Sequence, residues 1–127
     1  VEGAMQIFKH RGISVGVITN MDRAGEVIGA ELGLNTMVDF VLTSKDVEVT
    51  KPDPQIFLKA LDRTGALRES AIHVGDQTKS DLKGAIAAGI FPILIERNGF
   101  LTQVDEDRPR WVPVVSNLDE LVRLLFD

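Results

Sequence analysis

An α/β fold, with a parallel sheet covered by helices on both faces, is predicted for these 127 residues by three observations. Short apolar runs alternate along the chain with segments whose apolar residues recur at helical spacing. The runs are nearly continuous in Val, Ile, Leu and Phe, as parallel strands buried on both faces must be. Glycines at Gly12, Gly33, Gly65 and Gly89 close the helical segments one after another, where a left-handed stop is needed.

The elements follow in order. Residues 4–11 carry the end of a helix, stopped at Gly12, and residues 13–18 form a buried strand. Residues 23–32 make a helix with Val27, Ile28 and Leu32 turned inward. Its Gly25 and Gly29 lower intrinsic helicity, so packing has to hold it. Phe40–Thr43 is a short strand. Asp53 caps the next helix with Pro54 at its first position, and Ile56, Phe57, Ala60 and Leu61 form its apolar face. Residues 71–74 are a strand, and residues 80–88 a helix with Leu82, Ala85 and Ile86 inward. Phe91–Ile95 is a strand in which Pro92 suits a start or an edge. Residues 98–110 form a polar loop with a solvated Asp105-Glu106-Asp107 run, and residues 111–115 a last short strand. Ser116 or Asn117 caps a final helix whose Leu118, Leu121, Val122 and Leu125 share one side, with Asp119 and Glu120 in its first turn.

One domain is expected over residues 1–127, a length that suffices for a single core. A hydrophobic fraction of 44% and a charged fraction of 26% are those of a globular protein. A formal net charge of -5 argues against nucleic acid and anionic membrane as partners. With no cysteine there is no disulfide, thiolate chemistry or Cys-type zinc site, which fits a cytoplasmic setting. The chain starts without Met inside a helical pattern, as if it began mid-domain.

Three segments carry candidate chemistry, each just past the carboxyl end of a predicted strand, the edge where open α/β sheets bind ligands. Thr19 offers a hydroxyl and a turn amide for a phosphoryl oxygen, with Asn20 beside it; capping of the next helix is the plainer use. Lys51, stiffened by Pro52-Asp53-Pro54, offers a fixed positive charge for phosphate; a solvated surface lysine is the plainer reading. Asp76 and Asp81 flank the start of a helix after Gly75, and two such carboxylates suit Mg²⁺, which keeps several waters; two capping acids would look the same. His73 is expected to be a packed or edge residue and not a ligand.

The order Thr-Asn, Lys-Pro, Gly-Asp-x-x-x-x-Asp resembles the second, third and fourth motifs of the haloacid dehalogenase (HAD) superfamily, the aspartate-nucleophile phosphatases and dehalogenases. The wording of Ile18-Thr19-Asn20-Met21-Asp22, of Lys51-Pro52-Asp53-Pro54-Gln55-Ile56-Phe57 and of His73-Val74-Gly75-Asp76 narrows the resemblance to one subgroup. The resemblance implies a Rossmann-like core and phosphoric-ester hydrolysis through an aspartyl-phosphate. It also implies that Thr19 and Asn20 bind phosphate, that Lys51 acts catalytically on nucleophile and phosphate, that Asp76 and Asp81 hold Mg²⁺, and that the substrate is a phosphorylated small molecule.

The family's first motif, an Asp-x-Asp after an apolar strand, has no counterpart here. Asp105-Glu106-Asp107 has the spacing but lies in a polar loop before Arg108-Pro109. The nucleophile is therefore expected to precede Val1, together with a central strand between those ending at Ile18 and Val74. Without it those two strands pair directly, borrow a strand from another chain, or leave the fragment unstable, and a liability to self-associate follows. Residues 20–50 are too few for a substrate-covering cap between Thr19 and Lys51. Three functions compete: a hydrolase part that is inactive alone, a non-catalytic binding or scaffold module on the same core, and a receiver-like domain. The order Thr, Lys, acids disfavours the last.

Overall fold

The computed structural model describes residues 2–96 and 108–127. Helix α1 (Glu2–His10) leads into strand β1 (Gly16–Thr19), helix α2 (Gly25–Glu31) and strand β2 (Phe40–Thr43). A one-turn helix α3 (Ser44–Val47) and the longer α4 (Pro54–Thr64) follow, then β3 (Ile72–Gly75). A π-helical turn (Thr78–Leu82) runs straight into α5 (Lys83–Ala88), and β4 (Phe91–Ile95), β5 (Val114–Val115) and α6 (Leu118–Phe126) complete the order. The expected Asp105-Glu106-Asp107 loop lies outside the described residues.

All strand pairs are parallel, as the apolar runs predict, but they form two sheets. One is β1-β2, in register Thr19 to Thr43; the other is β3-β4-β5, in register Gly75 to Leu94. Strands β1 and β3 do not pair with each other, which removes direct pairing from the three outcomes considered above. Strand alternation puts the core on both faces of the larger sheet. Ile93 and Ile95 of β4 meet Ala4 and Phe8 of α1 and Leu121 of α6, whereas Leu94 turns the other way to Leu82 and Val112. A third cluster joins Leu42 to Ile56, Phe57 and Ala60 of α4 and to Ala85 and Ala88 of α5.

The caps form where the side chains dictate. Asp53 Oδ1 accepts from Gln55 N at 2.9 Å, with Pro54 behind it. Asn117 Oδ1 accepts from Glu120 N at 2.8 Å, and the Glu120 carboxylate accepts in return from Ser116 N. Thr43 and Asp46 make a reciprocal capping box at α3, a one-turn helix with no apolar period to announce it.

Three expectations need correction, and one, Pro92 at a strand start or an edge, holds in its first form. Val27 and Leu32 are 44% and 65% exposed, because α2 docks on β2 through Gly25, Ile28 and Gly29. A Cβ on Gly25 would lie 1.9 Å from Val41 O, so the residue that weakens the helix is the one that lets it approach. Ile86 is also exposed, at 41%: the π-helical turn adds a residue before α5, and Ala88 joins Leu82 and Ala85 inside. The strand at residues 13–18 begins later, at Gly16, and is half-buried. Pro92 stands near the start of its strand but on a central one. Leu94 N donates to Pro113 O on the β5 side; the N of Pro92, two residues earlier, points the same way before β5 begins, so no ladder bond is lost.

Candidate functional site

The carboxyl ends of the two sheets are joined through Lys51. Its Nζ donates to Asp81 Oδ1 at 2.7 Å, and both side chains are nearly buried, at 13% and 5% exposure. The loop that carries it is held from β1: Lys51 N donates to Asn20 Oδ1 at 2.8 Å, and Asn20 Nδ2 donates to Lys51 O at 3.1 Å. The Lys51–Pro52 peptide is cis. Asn20 therefore spends its side-chain amide on the backbone of Lys51 and acts here as the clamp of the lysine loop.

Asp81 receives three donors. Besides Lys51, His73 Nε2 lies 2.9 Å from Oδ1, and Gln77 N donates to Oδ2 at 3.2 Å. Burial pushes the Asp81 carboxyl up, but the hydrogen bonds from His73 and Lys51 and the charge of Lys51 outweigh it and hold the group down to about 2. Glycine at position 75 is a steric requirement. A Cβ there would stand 2.2 Å from Asp81 Cγ, so the carboxylate lies directly over the backbone of Gly75. The π-helical turn, in which Gln77 O accepts from both Asp81 N and Leu82 N, delivers Asp81 to that place.

Asn20, Lys51 and Asp81 are thus brought into one network, while Thr19 and Asp76 flank it along the chain. Thr19 ends β1, half-buried, next to Asn20. Asp76 is exposed and follows Gly75 at the end of β3. No hydrogen bond joins Thr19 or Asp76 to Lys51 among the described residues. His73 is the residue that the sequence reading missed. It is packed, with the Phe57 ring edge-on at 4.8 Å, but it also bonds Asp81. The signal was available in strand alternation: His73 and Gly75 share one face of β3, the face over which Asp81 lies.

The donor set bears on which cation it suits. Among the described residues no three of His, Cys, Asp and Glu gather into a ligand cage. Asp76 has a carboxylate with no partner among the described residues, whereas both Asp81 oxygens already accept. Such a set fits a hard cation that keeps most of its ligands as water, as Mg²⁺ does, and not one that needs a closed protein shell.

Known proteins resemble this chain in sequence and fold. The family model described as haloacid dehalogenase-like hydrolase matches residues 1–89. This chain belongs to that family. Relatives named haloacid dehalogenase-like hydrolase domain-containing protein 3 include those of Mus musculus and Danio rerio. The mouse protein is 42% identical over 128 residues, covering 98% of this chain and 51% of the relative. The zebrafish protein is 39% identical over 111 residues, covering 87% and 45%. The crystal structure of a HAD phosphatase from Thermococcus onnurineus matches with a TM-score of 0.82 at 28% identity, over 98% of this chain and 55% of that one. This HAD-like chain spans about half the length of the curated relatives it matches. Its described residues contain no helix long and apolar enough to cross a membrane.

Proposed function

We propose that this HAD-like chain supplies the phosphate-holding and cation-holding part of a Mg²⁺-dependent phosphoric-ester hydrolase working through an aspartyl-phosphate. The observation that carries the reading is the Lys51 ammonium fixed by a buried carboxylate at the carboxyl edge of the sheets. One of its three protons is used on Asp81, which leaves two for phosphoryl oxygens. Thr19 donates its hydroxyl to another of those oxygens. Asp76 would hold the cation, with Asp81 reaching it through water while anchoring Lys51. When bound, Mg²⁺ neutralises charge on the phosphoryl group. A phosphorylated small molecule as substrate is supported by the glyceraldehyde 3-phosphate phosphatase of Methanothermobacter thermautotrophicus, 32% identical over 124 residues, which cover 92% of this chain and 53% of that protein.

None of these 127 residues offers an Asp-x-Asp after an apolar strand. On this reading the chain is inactive by itself, and a strand bearing the nucleophile would stand between β1 and β3, which do not pair with each other. A non-catalytic module on the same core is the competing reading, favoured by that same lack. The two separate in an assay of p-nitrophenyl phosphate hydrolysis with Mg²⁺. This chain gives no turnover; extended at its amino end by the sequence that precedes it in its own gene, it turns over. In the extended protein Asp76→Ala weakens the metal dependence, and Lys51→Ala lowers kcat on the order of 10²-fold, the scale of losing one preorganised donor. Kinetics unchanged in both variants, or an extended protein that stays inactive, would sink the hydrolase reading.

A further inference from the structure

We propose that His73 is a positioning residue for Lys51: its Nε2–H pins Asp81 Oδ1, and the pinned carboxylate sets where the ammonium stands. The inference rests on the phosphate-holding role proposed above for Lys51. A carboxylate bonded only to a lysine and to one backbone N–H at 3.2 Å keeps freedom to rotate about its last torsion. The third donor, at 2.9 Å, removes it, because Oδ1 must then face Lys51 and His73 together. His73 is itself held from behind. The ring of Phe57, 1% exposed, meets it at 87°. Phe57 belongs to α4, whose first turn directly follows Lys51-Pro52-Asp53, so one helix braces both the histidine and the lysine loop.

A residue that merely filled this space would need no polar atom, and a phenyl ring would serve as well. A donor at the Nε2 position is what the geometry selects. With Asp81 ionised and accepting, Nε2 carries the proton, and the neutral Nε2–H tautomer is sufficient for the contact.

The test compares His73→Phe, which keeps a ring against Phe57 but has no donor, with His73→Gln, whose side-chain amide nitrogen reaches a similar place. Competitive acetylation of the chain, read by mass spectrometry, gives the reactivity of Lys51 against the exposed Lys59 and Lys83 as internal references. Labelling of Lys51 is expected to rise about tenfold in His73→Phe, the scale of one charge-assisted hydrogen bond, and to stay near wild type in His73→Gln. Equal labelling of Lys51 in wild type and His73→Phe overturns the proposal, as does a glutamine variant that behaves like the phenylalanine one. If His73→Phe does not fold, nitrogen-15 spectra of the wild-type imidazole decide instead: a bare Nε2 with the proton on Nδ1 overturns it, and Nε2–H supports it. Titration of wild type with inorganic phosphate and Mg²⁺ runs alongside. A wild type that binds no phosphate contradicts the role proposed for the site, while the labelling and the tautomer still decide whether His73 positions Lys51.

Discussion

At the scale of single residues, the site is a matter of who occupies the oxygens of Asp81. With its pKa lowered from 3.8 to about 2, the native state binds a proton there less readily than the unfolded chain. The sign follows: the contribution is fully present above the unfolded value and is lost as the pH falls through the native one. Its size is on the order of 2 kcal/mol. Urea denaturation of wild type and Asp81→Asn should therefore show wild type ahead at pH 6, with the gap closing between about pH 4 and pH 2. A gap that does not depend on pH would mean that the carboxylate is not the group responsible. Gly75→Ala attacks the same place from below. Its methyl needs the space of Asp81 Cγ, and a stability loss of about 1–3 kcal/mol, together with a more reactive Lys51, is expected. At this scale the sequence reading singled out Lys51 and Asp81 and gave both acids to the cation, without foreseeing that Lys51 bonds Asp81. Spacing along a chain does not say which oxygen a lysine will claim, and the bond from His73 depends on a π-helical turn that no periodicity announces.

Among the elements, glycine separates propensity from packing. Gly25 and Gly3 both lie in helices, and by propensity alone each change to Ala should stabilise by up to about 1 kcal/mol. Gly3 has nothing within 4 Å of an added Cβ, so Gly3→Ala should raise the Tm or leave it unchanged. Gly25→Ala drives a methyl into Val41 O and disturbs the Gly25 N–H donated to Asp46 at 2.9 Å, so thermal denaturation should show a clear fall in Tm. A rise would mean that α2 does not sit on β2 as described. The same contrast accounts for what was legible beforehand. Strands β2 and β4 and the caps at Asp53 and Asn117 follow from local pattern, and each forms at the expected residues. The inward face of α2 does not, because its contact surface is made of residues without side chains, which hydrophobic periodicity cannot register. The register of α5 was lost for a related reason, one extra residue in the turn before it.

For the molecule as a whole, the parallel architecture and the helices on both faces were readable from alternating runs, and the structural matches agree. The division into two sheets was readable only through the family resemblance. Composition cannot say which strands are neighbours. Among the described residues β1 and β3 each keep an unpaired edge, which makes association the expected behaviour of the isolated chain. Sedimentation over a range of concentrations should reveal oligomers that dissociate on dilution, and a strict monomer at high concentration would argue against open edges.

The central claim is that Lys51, Thr19 and Asp76 together form one place for a phosphoryl group and its cation. A crystal structure of this chain grown with inorganic phosphate and Mg²⁺ tests it most directly. The account predicts phosphate within hydrogen-bonding distance of Lys51 Nζ and Thr19 Oγ1, and the cation on Asp76 with waters completing its shell. Phosphate bound elsewhere, or Asp76 directed away from the ion while Lys51 stays closed on Asp81, would contradict it.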